Sequence, residues 1–268
     1  MVSPDGLHIA FASNRGGPGD LFVIRADGTG EMQLTHSPKS NNPMRWTSDG
    51  KEVVYSHGAD DTSRAVIISR IGIDGSNPIE ITRLPGGSAA LSPDMKRVVY
   101  MKGTWTSMKL MLANLDGSNA KSITDGSSVA WNCSWSPDGT RIAFTTRSDD
   151  KSPLRVFIMN ADGSERQDAT DIPVKEGQVQ WPRWSPDGRL LAVQVNDLAA
   201  HTGHLWIADV QTRKATKLAP HDRAYNDETP SWFPDAKHIA FQSDRTGKME
   251  VWVMSVDGTE QRQVTGIH

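Results

Sequence analysis

Short apolar runs recur along the whole chain, each introduced by the same kind of polar turn. Ser3-Pro4-Asp5-Gly6 leads into Ile9-Ala10-Phe11, and Thr47-Ser48-Asp49-Gly50 into Val53-Val54-Tyr55. Ser92-Pro93-Asp94-Met95 precedes Val98-Val99-Tyr100, and Ser136-Pro137-Asp138-Gly139 precedes Ile142-Ala143-Phe144. Ser185-Pro186-Asp187-Gly188 leads into Leu190-Leu191-Ala192-Val193, and Phe233-Pro234-Asp235-Ala236 into Ile239-Ala240-Phe241. In such a turn Pro fixes its own φ, Asp bonds back to the backbone and Gly accepts positive φ. An apolar run directly after it predicts an antiparallel hairpin. The turns begin at 3, 47, 92, 136, 185 and 233, so the steps are 44, 45, 44, 49 and 48 residues. A fixed period of this size marks a radial or solenoidal repeat.

Each period holds four strand-sized segments. The first ends at the turn, as Trp181-Pro182-Arg183-Trp184 does; the second is the apolar run after it. The third carries larger residues, as in Leu21-Phe22-Val23-Ile24 or Val251-Trp252-Val253-Met254. The fourth is short and polar and ends in pairs such as Leu34-Thr35 or Val264-Thr265. A second tight turn separates the last two: Asp27-Gly28, Asp74-Gly75, Asp116-Gly117, Asp162-Gly163 and Asp257-Gly258, with Asp209-Val210-Gln211-Thr212 in the fifth repeat. No segment sustains a 3.6-residue apolar period, which predicts almost no helix. The pattern predicts an all-β protein, a six-bladed β-propeller of four-stranded antiparallel blades, as one domain over 1–268 with repeats starting near 1, 42, 87, 131, 180 and 228. Only Met1 and Val2 precede the first turn. Blade one is therefore expected to lack its innermost strand, leaving 23 full strands, unless further chain precedes this sequence.

Six copies of a Trp-Ser-Pro-Asp-Gly-like turn, an Ile-Ala-Phe-like strand, a third strand and an Ala-Asp-Gly-like turn resemble the TolB-type propeller repeat and the related bacterial WD-like repeats. The resemblance covers nearly the whole chain. It departs at Thr47-Ser48, at Leu91 where Trp is usual, and at Phe233 and Ala236. It implies an envelope interaction role with a protein or peptide partner, a cell-envelope lipoprotein being the partner type implied. The expected location is periplasmic where a leader precedes this sequence and cytoplasmic otherwise.

Composition narrows the function classes. The 29 basic and 32 acidic residues are interspersed, with formal net charge −3, so the clustered cations that bind a phosphate backbone are absent and no nucleic-acid partner is expected. The single Cys133 rules out an internal disulfide framework and a cysteine-based zinc cluster. No apolar run approaches the ~20 residues that span a bilayer. No Gly-x-Ser-x-Gly elbow, phosphate loop or haem-attachment motif occurs, so no catalytic residue, metal site or cofactor is expected.

Strand direction sorts the loops. In an up-and-down blade the Pro-Asp-Gly and Asp-Gly turns share one end, and the longer, variable connections share the other, which is the expected binding face. That face collects the loops around Asn14-Arg15, 60–63, 104–106, Arg147 with 148–150, His201 and Arg245. It also collects interblade loops including Lys39, 175–177 and the stretch from His221 to Glu228. Aligning the first strands on their Trp places Asn42, Gly87, Trp131, Gln180 and Glu228 at one level near the channel mouth. The expected ligand-binding set is Asn42, Trp131, Gln180, Trp181, Tyr225, Asp227, Glu228, Arg147, His201 and Arg245, suited to a peptide or a small polar ligand such as a sugar. Hydration of a channel mouth is the plainer role for the same residues. Trp46, Trp135, Trp184 and Trp232 recur at one repeat position and are read as packing between blades. The alternative function is a small carbohydrate-active lyase or hydrolase. It would use Glu228, Asp227, His201 and His221, with Trp131 and Trp181 as sugar platforms.

Overall fold

The structure, a computed structural model, describes residues 1–59, 65–104, 107–127, 129–147, 151–173, 177–218 and 225–266. Positions 60–63, 105–106, 148–150, 175–176 and 221–224 of the expected loop face, with His221 among them, lie outside the described residues.

Among the described residues there are 23 strands in six antiparallel sheets, and no helix. Blade one has three strands, His8–Ser13, Asp20–Arg25 and Met32–Gln33. Blade two runs Asn41–Trp46, Glu52–Gly58, Val66–Gly72 and Ile79–Leu84. Blade three runs Ala89–Leu91, Arg97–Thr104, Ser107–Asn114 and Lys121–Ser122. Blade four runs Ala130–Trp135, Arg141–Thr146, Arg155–Asn160 and Gln167–Asp168. Blade five runs Gln178–Trp184, Leu190–Asp197, Thr202–Asp209 and Ala215–Lys217. Blade six runs Asp227–Trp232, His238–Ser243, Glu250–Ser255 and Arg262–Gln263.

The repeated turn is held by its own side chains. Ser185 Oγ donates to Asp187 Oδ1 at 2.5 Å and accepts from Leu190 N at 2.9 Å, while Arg189 N donates to the same Asp oxygen. Ser3, Thr47, Ser92 and Ser136 repeat this arrangement. In blade six Phe233 replaces the hydroxyl residue, and Asp235 is met instead by His238, whose Nδ1 lies 2.6 Å away.

Seams between blades are apolar and carry one recurrent polar tie. Trp46, Trp135, Trp184 and Trp232 are buried, and each indole N–H donates to a backbone carbonyl of the preceding blade. The acceptors are Met1, Ala90, Ser134 and Arg183, at 3.1, 3.1, 3.3 and 2.9 Å. Each acceptor immediately precedes the position equivalent to Trp in its own blade. An indole supplies a large apolar surface and one donor, and both are used here.

The ring closes without a shared sheet. The blade-six strands are all C-terminal and the blade-one strands all N-terminal, so the seam rests on side chains. Val2, Ile9, Phe11, Phe22 and Ile24 pack there against Phe233, Ala240, Val251, Val253 and Val264. In the innermost layer of blade one, Met1 and Val2 supply a single bridge, Val2 to Ile9. Val2 N also donates to Ser231 Oγ across the seam.

Candidate binding channel

The innermost strands are edge strands, and those of blades two, four, five and six carry a register shift next to the channel. It falls between Pro43 and Arg45, Trp131 and Ser134, Gln180 and Arg183, and Glu228 and Ser231. In three blades the residue in the bulge takes positive φ: Asn132 at 49°, Trp181 at 53° and Thr229 at 49°. A bulge inserts one unpaired residue and re-aims the side chains that follow. The consequence is that Asn132, Trp181 and Thr229 line the central cavity, whereas Trp131, Gln180 and Glu228, one residue earlier, do not.

That cavity occupies about 1220 Å³. Its wall includes Asn42 to Arg45, Ser88 to Leu91, Asn132 to Ser134, Trp181, Arg183 and Thr229 to Ser231. It also reaches Ile9 to Ala12 of blade one, where only Met1 and Val2 stand in the innermost layer. Of the ten residues expected at the site, Asn42 and Trp181 line the cavity.

The others sit on the long-connection side or behind the wall. Asp227 is buried and receives Arg245 Nη2 at 2.8 Å, and the Arg245 guanidinium lies 4.6 to 5.2 Å from the ring centroids of Tyr225, Phe241 and Trp252. Arg245 and Tyr225 thus fasten the second connection of blade six to the start of its innermost strand. Asn226 adds to this: its backbone and side-chain amides both donate to Asp244. Glu228 is half-buried, and its carboxyl is raised above the usual range by desolvation, then by Asp244 and Asp227. His201 is exposed at φ 54° on the turn between two blade-five strands, and Arg147 directly follows a blade-four strand. Among the described residues no cluster of His, Cys, Asp and Glu could hold a metal.

Sequence reasoning passed over Arg45 and Arg183, which line the cavity one residue before Trp46 and Trp184. Burial in the channel wall lowers both guanidinium pKa values, with Asp94 opposing the effect at Arg45 and Cys133 at Arg183. Arg183 Nη1 donates to Pro182 O at 3.1 Å, and the guanidinium sits 5.9 Å from the Trp181 ring centroid. The neighbouring Cys133 thiol is pushed up to about 12 by desolvation, against the pull of Arg183. The positions of Pro182 and Pro230 in the innermost strands were the readable signal for the bulge, because Pro inside a strand is confined to edges and bulges.

A family model described as the TolB beta propeller domain matches residues 95–267. The chain belongs to the TolB beta propeller family. Among curated proteins this TolB-family chain is 22% identical over 328 aligned residues to dipeptidyl-peptidase 5 of Porphyromonas gingivalis, covering 98% of this chain and 47% of that protein. Among solved structures it is similar to TolB from Acinetobacter baumannii, with TM-score 0.74, 19% identity, and coverage of 96% of this chain and 63% of that one. It is also similar to the β-propeller domain of the Trilobed protease from Pyrococcus furiosus, described as having an open velcro topology. There the TM-score is 0.62 at 14% identity, covering 99% of this chain and 82% of that one. At these identities the structural likeness is one of fold. The TolB-family chain spans about half the length of the curated relative and under two thirds of the TolB chain. No helix among the described residues is long and apolar enough to cross a membrane.

Proposed function

We propose that this TolB-family propeller is a non-enzymatic binding module that takes a protein or peptide segment through its long-connection rim and the mouth of its channel. A cell-envelope lipoprotein is the partner type to test first, in a periplasmic setting. The observation that carries the reading is the cavity of about 1220 Å³, above the ~300–1,000 Å³ of small-molecule pockets and lined in large part by the innermost strands. Trp181 gives its mouth a rigid amphipathic surface of the kind that anchors peptide side chains.

Panning displayed peptides of about twelve residues against the immobilised protein tests this. The expected result is enrichment of sequences whose binding falls at least about tenfold on Trp181→Ala. Enriched peptides indifferent to Trp181 and Asn42 would count against the channel mouth.

A carbohydrate-active site is the second reading, favoured by the raised carboxyl of Glu228. Against it, Asp227 is already engaged by Arg245. Release of reducing ends from acidic or neutral oligosaccharides, abolished by Glu228→Gln, would favour it over simple binding.

A further inference from the structure

Among the described residues, the titratable side chains lining the cavity are His57, Arg45, Lys102, Arg183 and Cys133, and no described Asp or Glu is among its wall residues. This contrasts with a chain whose net charge is −3. Arg45 and Arg183 hold the same register position in blades two and five, each directly before the seam tryptophan. Blades two and five are three apart in a ring of six, so the two guanidinium groups approach the axis from opposite sides. The innermost strands run from the long-connection rim toward the tight turns, which puts this level deeper in the channel than Asn42 and Trp181.

Neither arginine forms an ion pair with a described carboxylate. Asp94, the acidic group that acts on Arg45, is occupied by Ser92 Oγ at 2.6 Å and Lys96 N at 3.1 Å. A cation withdrawn from water without a counter-charge is costly, and an entering anion removes that cost. Guanidinium forks suit carboxylates, which accept two parallel N–H bonds. Among polar side chains such as Asn132 and Thr229, the wall also offers apolar, adaptable ones: Met44, Met101, Met108, Pro230 and Trp181.

From this arrangement we infer that the channel binds an extended acidic peptide segment, with a carboxylate held between Arg45 and Arg183 and apolar neighbours on Trp181 and the methionines. This rests on the peptide-binding reading above and adds the sign of the ligand's charge and the depth at which it is read.

Two capped peptides test it, one alternating Glu with Leu and one alternating Gln with Leu, titrated into the protein by calorimetry. The Glu peptide is expected to bind at least about tenfold more tightly than the Gln peptide. Raising NaCl from about 50 mM to about 300 mM should weaken the Glu peptide alone. Arg45→Gln or Arg183→Gln should lower its affinity at least about tenfold, while Arg183→Lys retains part of it. The salt titration needs no variant, so the test stands even where a substitution impairs folding. Equal binding of both peptides would overturn the acidic assignment while leaving the peptide reading intact. Tricarballylate binding as tightly as the Glu peptide would also overturn it, in favour of small carboxylates. If neither peptide binds, the acidic assignment fails; if panning also yields nothing, the peptide reading fails with it.

Discussion

The indole N–H of Trp184 donates to the carbonyl of Ser134 at 3.3 Å, tying blade five to blade four at the innermost layer. The same ring lies 4.7 Å from the Arg141 guanidinium, so one side chain joins apolar packing, a hydrogen bond and a cation–π contact. Truncation leaves a cavity and an unmatched carbonyl. Trp184→Ala is expected to lower stability by about 3–5 kcal/mol in urea unfolding. A loss under about 1 kcal/mol would mean the seam does not depend on the indole.

The repeated turn makes a smaller, separable contribution. Removing the Ser185 hydroxyl deprives the half-buried Leu190 N–H of its acceptor and Asp187 of one of its two donors. Ser185→Ala is expected to cost about 1–3 kcal/mol by the same measurement, since an unmet buried donor costs more than an average hydrogen bond returns. Ser185→Thr, which keeps the oxygen as Thr47 does in blade two, should recover most of it.

Blade six carries a pH-sensitive pair at its repeated turn. The hydrogen bond from His238 to Asp235 raises the imidazole pKa above 6.5, with Glu260 assisting and desolvation opposing. A group whose pKa rises on folding contributes stability that is present in full below its unfolded pKa and is lost as pH rises through the folded one. Melting temperature should therefore fall between about pH 6 and about pH 8 more steeply in the native protein than in His238→Gln. Parallel profiles would show that the pair adds nothing to folding.

Cys133 offers a reporter inside the channel. With the thiol pushed from 9.0 to about 12, its thiolate fraction near pH 8 is lower by about a thousandfold, and the thiolate is the reacting species. Native protein should react with a maleimide about a hundredfold or more slowly than urea-unfolded protein. Equal rates would mean the channel wall does not desolvate Cys133.

Repeat spacing and turn chemistry make the fold legible, because Ser-Pro-Asp-Gly and Asp-Gly turns are local and each fixes a hairpin. Blade one is legible for the same reason: two residues before a turn cannot form a full strand, and Met1 and Val2 form one bridge. The site is less so. Counting back from Trp184 or Trp232 assumes an unbroken alternation along the strand, and one bulged residue reverses it. Asn132 and Thr229 therefore line the channel while Trp131 and Glu228 do not, and of the adjacent pair Gln180 and Trp181, both in the expected set, Trp181 alone does. Arg245 has a structural role that its sequence position does not reveal. An arginine on a variable connection suggests ligand contact, yet Asp227 and three aromatic rings already surround it. Arg45 and Arg183 are masked by their neighbours, since a residue beside a seam tryptophan gives no sign in sequence of facing the axis.

Hydroxyl-radical footprinting with a peptide enriched by panning tests most directly whether ligand enters by the channel. Protection is expected at Met44, Met101, Met108 and Trp181 on the cavity wall, with Met95 at a tight turn and Met32 on an outer strand unchanged. Protection of Met95 or Met32 with none on the wall would contradict it.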